Sequence, residues 1–379
     1  MSSSPAPRKR LPVNPSIEHL KKRAKRLAAR EPSLKLADAQ HRLAREYGCR
    51  NWAELAHVVE TMSRGATQIF DVKAKLEPLP EAANRNDLDA VRHILAHERL
   101  TQHDLDKALA RAVLRFGQRR QIAQLLIEHG ADPDGQYGSN YGPIVLVTAE
   151  CIDPDGLQFL IDHGADITFA PVQTKYGRAS PMLGIISTYE RGKNELKRRY
   201  IDLLLAHGAH VPLELTGEFL AIHRGDVDAL GREIDRDPAM VERRFGSIPG
   251  GGNVDLAGAT LLHMAVEFGQ IACVDLLVSR GADLNARAQV IQGIGGQTPI
   301  FHAIATNQQR GLPMLEHLVG RYGGSIDMSV RATFRLYGEP FATPVTPLEY
   351  AQSGMRNDTP SWRRTSPREL ELLAGLTPH

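Results

Sequence analysis

The chain has 379 residues, of which 46 are basic (Lys or Arg), 44 are acidic and 42% are hydrophobic, which is enough for a packed protein. No apolar run approaches the roughly 20 residues that a membrane-spanning helix needs, and the basic N-terminus lacks the apolar stretch of a secretory signal. The three cysteines are far apart and unpatterned, which predicts neither a disulfide framework nor a zinc site. These features favour a reducing compartment, and we expect a cytoplasmic protein.

The charge is unevenly distributed along the chain. Residues 1–64 carry 14 basic and 6 acidic residues, whereas the remainder carries 32 basic and 38 acidic residues. This difference predicts a boundary between two parts of the chain. We expect a flexible basic tail over 1–15, rich in Ser and Pro, and an N-terminal helical segment over 16–64.

Apolar residues at helical spacing predict three helices in this segment, over about 16–30, 34–47 and 52–63. The first carries its apolar stripe from Ile17 to Ala28. The second begins its stripe at Leu36 and ends near Gly48. The third starts after Asn51, which forms an N-x-x-E helix-start signal with Glu54.

The run Lys21-Lys22-Arg23-Ala24-Lys25-Arg26 is the strongest local charge signal. It is either the solvated face of an amphipathic helix or a surface that contacts nucleic-acid phosphates. No interleaved aromatic residues, zinc spacing or recognition helix accompany it. We therefore favour the solvated face, and we keep a nucleic-acid-associated regulator using helix 16–30 as the alternative function.

One phrase recurs further along the chain: LLIEHGAD at 125–132, FLIDHGAD at 159–166, LLLAHGAH at 203–210 and LLVSRGAD at 276–283. A repeated phrase indicates a repeated structural unit. Its glycines, Gly130, Gly164, Gly208 and Gly281, follow the last helical turn, where a left-handed residue is needed. The His or Arg before each glycine faces the negative end of the helix dipole, which favours a helix-stop role over a metal or catalytic role.

Related helix starts occur at Thr260, Thr298 and Thr346. A threonine hydroxyl is a good N-cap because it accepts a hydrogen bond from a free backbone N–H. Pro299 and Pro347 follow two of these threonines at the first helical position, where proline is favoured. An alanine five residues after each threonine allows neighbouring helices to approach closely.

Together these starts and stops resemble the ankyrin repeat, whose signature is T-P-L-H-x-A, a second helix and L-L-x-x-G-A-D. The resemblance covers roughly 80–375. It implies an all-α helical-repeat solenoid of about seven or eight degenerate repeats over 78–375, with inserted loops. Phe301 and Glu349 replace the signature histidine, so the Thr–His hydrogen bond is expected only at Thr260 and His263. Residues 38–52 are also similar to the helical segment that often precedes ankyrin repeats in bacterial proteins.

This resemblance implies a non-enzymatic scaffold that binds an unidentified protein partner through the concave face and loops of the stack. Tyr and Arg are frequent at binding hot spots, so the aromatic and basic loop residues are the expected contacts. They are Tyr137, Tyr141, Lys175, Tyr176, Arg178, Arg287, Phe334, Arg335 and Tyr337.

The chain contains no G-x-S-x-G, no H-E-x-x-H and no P-loop. The glycines at 250–252 and 293–296 are interpreted as flexible loops, because a phosphate cradle needs a preceding strand and a helix N-terminus at the loop. His93 and His97 could share a helix face, as zinc ligands do, but both occupy structural columns of the repeat. We therefore expect no catalytic residue, cofactor or metal.

Overall fold

The computed structural model describes residues 17–31, 34–47, 49, 51–53, 55–56, 59, 77–137, 142–174, 177–188, 190–306, 309–336, 339–340, 343–354 and 365–376. The tail expected at 1–15 lies outside these residues. Within them, no helix combines the length and apolar character needed to cross a membrane.

Helices dominate the described residues, and the predicted all-α repeat fold is confirmed. They are α1 Ile17–Arg30, α2 Leu36–Glu46, α3 Pro78–Asn84, α4 Leu88–His97, α5 Gln102–Val113, α6 Phe116–Glu128, α7 Val147–Glu150, α8 Pro154–Asp162, α9 Pro181–Ser187, α10 Asn194–Ala206, α11 Gly217–Arg224, α12 Val227–Arg236, α13 Leu261–Glu267, α14 Ile271–Ser279, α15 Leu312–Tyr322, α16 Pro347–Gly354 and α17 Pro367–Ala374. Turns of 3₁₀ helix lie at Ile144–Leu146, Pro238–Val241, Pro299–Ala303 and Gly323–Ser325.

Two short antiparallel hairpins accompany the helices. One pairs β1 (Val172–Thr174) with β2 (Gly177–Ala179), and the other pairs β3 (Arg335–Leu336) with β4 (Glu339–Pro340). The first hairpin lies in the stretch 169–179. The spacing from Gly164 to Gly208 is 44 residues, against 34 from Gly130 to Gly164, and this difference predicts inserted residues here. The chain divides into two compact units, of which the first comprises 1–147 with 159–165 and the second 148–158 with 166–379.

The N-terminal segment has its own apolar cluster within the first unit. Leu20 and Ala24 of α1 pack with Leu43 of α2 and with Leu55 and Val59. All five are buried, as helical spacing predicts for the inward faces of three helices. Leu36, predicted on the same apolar stripe, is instead exposed, because it occupies the first residue of α2 and precedes the buried turns.

The helix pairs α3–α4 and α5–α6 follow in the first unit. Asp87 begins α4 by accepting a hydrogen bond from the Ala90 N–H at 3.0 Å. Thr101 and Asp104 form a reciprocal cap at the start of α5. Each cap satisfies backbone donors that the first helical turn leaves without intrahelical partners.

The second unit continues as helix pairs arranged in two rows. In the first row α11 packs on α13, α13 packs on the 3₁₀ turn at 299–303, and that turn packs on α16. In the second row α12 packs on α14, and α15 packs on α17. Each pair therefore buries its apolar face against its neighbours in the stack, which is how helical repeats form a continuous core.

Candidate protein-binding surface

The recurrent helix ends share one geometry. Gly130, Gly164, Gly208 and Gly281 have φ of +96°, +95°, +72° and +94°, the left-handed region in which a residue without a Cβ is favoured. The imidazole Nδ1 of His129 lies 2.8 Å from the carbonyl oxygen of Leu125, and that of His163 lies 2.7 Å from the carbonyl oxygen of Phe159. Each imidazole therefore donates to a carbonyl of the last helical turn that also accepts the backbone N–H of the same histidine.

The start of α13 joins one repeat to the next through His263, which is fully buried. Its Nδ1 accepts from the Thr260 backbone N–H at 3.2 Å, and the Thr260 Oγ1 lies 2.9 Å away. Its Nε2 then donates to the Gln297 carbonyl at 3.0 Å. Burial, reinforced by His302, lowers the pKa of His263 to about 3, so the imidazole is neutral at neutral pH.

The other two threonine starts show what replaces this histidine. Glu349 forms a reciprocal cap with Thr346: its Oε2 accepts from the Thr346 N–H at 2.8 Å, and its own N–H donates to the Thr346 Oγ1. At Thr298 the hydroxyl has no hydrogen-bond partner among the described residues, because Phe301 takes the histidine position. The helical turn that follows Thr298 is 3₁₀ rather than α.

Three loops of the second unit form what we call the loop surface: residues 243–258, 285–298 and 329–336. They contain five arginines and one acidic residue, Asp255. Arg244 donates to the Arg287 carbonyl at 2.8 Å, and Arg287 donates to the Arg331 carbonyl at 2.9 Å. Arg331 donates to the Pro344 carbonyl at 3.0 Å and to Glu349 at 2.7 Å.

This arginine ladder fixes the loops relative to one another. Bonds to backbone carbonyls satisfy donors without cancelling the guanidinium charge. Among the described residues, neither Arg244 nor Arg287 pairs with a carboxylate, and both are exposed. The loop surface therefore presents positive charge to solvent.

Two adjoining cavities open within the loop surface. The first, of about 290 Å³, is lined by Ser247, Gly250, Gly252 and Asn253, among others. The second, of about 200 Å³, is lined by Gln289, Ile291, Gln292 and Gln297, among others. Both cavities share Asp255, Ala257 and Arg335.

Each cavity contains a buried carboxamide with unsatisfied atoms. Asn253 is 2% exposed, and neither its Oδ1 nor its Nδ2 has a hydrogen-bond partner among the residues that the structure describes. Gln297 is 1% exposed; its Nε2 donates to the Asp255 carbonyl at 2.8 Å, while its Oε1 has no partner in the described part of the chain. Leaving such a group unpaired costs about 1–3 kcal/mol, so a ligand that pairs it recovers that free energy.

The glycines at 250–252 do not form the flexible loop predicted for them. A Cβ on Gly251 would lie 2.5 Å from the Ser187 carbonyl oxygen, and one on Gly250 would lie 2.9 Å from the Ile186 carbonyl oxygen. Glycine is therefore required here for close backbone approach. The segment is a packed wall of the first cavity.

Residues 257–289, which contain α13, α14, the Thr260–His263 pair and Gly281, match the family model for the ankyrin repeat. These residues therefore form an ankyrin repeat. Among solved structures, the ankyrin repeat domain of human ASB11 is similar to it, with 15% identity, a TM-score of 0.31 and coverage of 80% of this chain and 98% of that one. The Bcl-3 ankyrin repeat domain gives 20% identity, a TM-score of 0.28 and coverage of 80% and 100%. No curated protein matches by sequence.

The predicted contact residues lie in different environments. Arg287 is exposed on the loop surface, and Arg335 is half-buried between the cavities. Arg178 is exposed on β2. Tyr137 is half-buried, with the Arg111 guanidinium 5.3 Å from its ring centroid. Four further predicted contacts lie outside the described residues: Tyr141, Lys175, Tyr176 and Tyr337.

Phe334 corrects the sequence prediction, because it is fully buried and cannot contact a partner. Its ring packs edge-on against Phe301 at 5.4 Å and Tyr350 at 5.0 Å. An aromatic residue in a loop was expected to be exposed. Here the Phe334 ring fills core space beneath the loop, beside the short 3₁₀ turn at 299–303.

A buried ionic cluster, which sequence analysis did not anticipate, lies next to the first cavity. Arg191 contacts Glu267 at 2.9 Å, with side-chain exposures of 4% and 0%. Glu267 also accepts from the Asn253 backbone N–H at 2.8 Å and from the His302 Nδ1 at 2.9 Å. Burial alone raises the pKa of Glu267, but the His302 hydrogen bond and the Arg191 charge overcome it and hold that pKa below its usual value.

A buried Lys–His pair lies beside this cluster. The Lys197 Nζ is 3.1 Å from the His223 Nδ1 and 4.5 Å from the Phe268 ring centroid. The His223 Nε2 donates to the Pro249 carbonyl at 2.9 Å. Burial, together with the Arg191 charge, puts the pKa of Lys197 well below its usual range, and burial beside Lys197 does the same for His223.

Only a weak sequence signal marked these groups: Glu267 and Lys197 are charged residues at positions where a repeat helix faces inward. Their partners come from distant parts of the chain that sequence spacing does not connect. Glu267 contacts Arg191, Asn253 and His302, and Lys197 contacts His223 and Phe268. Despite this concentration of titratable groups, the described residues contain no set of three His, Cys, Asp or Glu side chains placed to hold a metal ion. His93 and His97 stack at 4.4 Å, and the His97 Nδ1 bonds the His93 carbonyl of its own helix.

Proposed function

We propose that this ankyrin repeat protein is a non-enzymatic scaffold that holds a protein partner on the loop surface. Ankyrin repeats generally serve as protein–protein interaction modules. The main support for this proposal is the exposed apolar tip of the loop at 285–298. Val290 and Ile291 are 56% and 48% exposed and stand beside the second cavity and the arginine ladder. Apolar side chains surrounded by polar and charged groups are typical of an interaction site.

We also propose that the protein is cytoplasmic. Cys49, Cys151 and Cys273, all of them among the described residues, form no disulfide. Burial raises the pKa of the Cys273 thiol to about 12, so it packs as a small apolar group and is not a nucleophile at neutral pH. A bacterial origin, suggested by the segment at 38–52, stays a prediction.

The alternative, nucleic-acid binding by α1, has less support. Arg23 donates to the Tyr47 hydroxyl at 2.8 Å and lies 3.7 Å from Glu46. Arg26 lies 3.7 Å from Asp134. Two of the five cations in the basic run therefore have structural roles, while Lys21, Lys22 and Lys25 are exposed.

Capture from a nuclease-treated lysate of the native host tests the two functions. The baits are the full-length protein, Val290→Ser/Ile291→Ser on the loop tip, and Lys21→Gln/Lys22→Gln/Lys25→Gln on α1. We expect a discrete protein to be retained by the wild type and the α1 variant and to be lost from the loop-tip variant. Loss from the α1 variant alone, or loss on nuclease treatment, would contradict the proposal and favour nucleic acid.

A further inference from the structure

We infer that the loop surface recognises an extended, acidic peptide segment of the partner. This inference rests on the proposed function and gives that partner its chemistry. Three properties of the loop surface carry it: its charge, its buried carboxamides and the size of its cavities.

The charge of the loop surface selects acidic side chains. Five arginines and one acidic residue lie in these loops, and the Asp255 carboxylate already accepts the Ala257 N–H at 2.9 Å. Arg243 and Arg331 pair with Asp237 and Glu349, which lie outside the loops, so the charge argument depends on the other arginines. Arg244 and Arg287 are held in place by carbonyl bonds and are exposed. Guanidinium groups fixed in this way lose little side-chain entropy when they bind a carboxylate, and they offer paired donors that match its two oxygens.

The buried carboxamides select a peptide backbone. Asn253 offers one acceptor and one donor group, both without partners, at the wall of the first cavity. A peptide group offers the complementary N–H and C=O. Gln297 adds an unpaired acceptor in the adjoining cavity, where it can receive a second backbone N–H. A carboxylate alone could accept from the Asn253 Nδ2, but it offers no donor to the Asn253 Oδ1 or the Gln297 Oε1.

The shape of the site favours an extended chain over a nucleic acid. Cavities of about 290 and 200 Å³ that share a wall accept alternate side chains of a strand, which lie on one face about 6.6 Å apart. Single-stranded nucleic acid is held by exposed aromatic rings on which its bases stack. The described part of the loop surface exposes none, because Phe334 is buried and the half-buried Phe245 packs edge-on against Phe219 at 5.0 Å.

Selection from a displayed library of random peptides, each about twelve residues long, tests this inference on the full-length protein. We expect the enriched peptides to carry Asp and Glu well above the unselected library, with apolar residues between them. Enriched peptides without an acidic excess would overturn the inference, as would no enrichment above the support alone.

Variants then locate the binding of the selected peptides. We expect Arg287→Gln/Arg335→Gln to weaken binding at least about tenfold, since two charge-assisted contacts are lost. The matched control is Arg232→Gln, an exposed arginine of α12 in the same unit, which should stay within about twofold of wild type. Equal weakening by the control, or none by the double variant, would refute the assignment.

Asn253→Ala separates binding from folding. Its backbone N–H still donates to Glu267, and the substitution removes only a carboxamide that has no partner. We therefore expect peptide affinity to fall at least about tenfold while the melting temperature stays the same or rises. A fall in melting temperature with unchanged affinity would show that this amide is structural, and would contradict the inference.

The same variants distinguish this inference from the proposed function. A partner that lysate capture recovers equally with wild type and Arg287→Gln/Arg335→Gln would leave the scaffold standing and refute acidic-peptide recognition. Failure to capture any protein would refute the scaffold itself. A single-stranded oligothymidylate that binds the wild type but not the double variant would assign the loop surface to nucleic acid.

Discussion

Removal of Arg191 should strongly destabilise the second unit. The Arg191 guanidinium lies 2.9 Å from Glu267, donates to the carbonyls of Thr188 and Gly251, both at 2.6 Å, and stands 4.7 Å from the Phe268 ring centroid. Arg191→Met keeps most of the apolar volume and removes the charge. Glu267 then remains buried with only His302 and one backbone N–H as partners.

Breaking a buried ion pair on one side costs about 3–5 kcal/mol, because the remaining charge has lost its compensation. We expect about 4 kcal/mol for Arg191→Met and a smaller loss for Glu267→Gln, whose amide oxygen can still accept hydrogen bonds. In the double variant Arg191→Met/Glu267→Gln, no buried carboxylate remains in this cluster. Its loss should therefore be smaller than the sum of the two single losses by about 2 kcal/mol.

Urea unfolding of the full-length protein at neutral pH, followed by far-ultraviolet circular dichroism, measures these losses. Hydrogen exchange of the 260–279 peptides shows whether the loss is local to these repeats, since a repeat protein need not unfold in one step. The control is Arg243→Met, which breaks the pair with Asp237 at 2.6 Å, where both side chains are over 40% exposed. It should cost less than about 1 kcal/mol. An Arg191→Met loss no larger than the control, or strictly additive losses, would refute the reasoning.

Three further predictions concern the repeat scaffold. Gly281→Ala should destabilise the protein by about 1 kcal/mol because φ is +94° there. Gly320→Ala within α15 should instead stabilise it by about 0.5–1 kcal/mol, because the added Cβ has no heavy atom within 4 Å. If urea unfolding showed both variants to be stabilised or both to be destabilised, the left-handed helix stop would be contradicted. The pKa of His263, about 3 when folded and 6.5 otherwise, means that the unfolded chain binds more protons between these values, so stability falls as pH drops through this window, by at most about 5 kcal/mol. His263→Gln should be less stable than the wild type at neutral pH. Its stability should also fall less steeply with pH in this window, because one titrating group has been removed. A melting temperature that depends on pH as in the wild type would be inconsistent with a neutral buried imidazole. Leu277→Asp puts a charge at a fully buried position and should unfold the region near 258–329, so unchanged circular dichroism and melting would defeat the repeat assignment.

Sequence predicts the repeat scaffold because its determinants are local. A glycine needed for a left-handed residue, or a threonine that caps its own helix, depends on a few neighbouring residues, and the Thr260–His263 contact forms where the signature threonine and histidine are both present. Glu349 also acts locally, since a carboxylate three residues after Thr346 completes a cap as the histidine would. These features are therefore readable without a structure.

The candidate site is less predictable because its determinants are non-local. Arg191 and Glu267 are 76 residues apart, and the hydrogen bond from Arg244 spans 43 residues. Phe334 was predicted as exposed because it lies in a polar loop, yet it fills the core beneath a 3₁₀ turn. The unpaired amides of Asn253 and Gln297 could be recognised only after the cavities around them were defined.

Hydrogen exchange of the full-length protein, with and without the partner recovered by lysate capture, tests the central claim most directly. We predict slower exchange at 243–258, 285–298 and 329–336, with little change in α1. Protection confined to α1, or to residues outside these three loops, would contradict the assignment of partner binding to the loop surface.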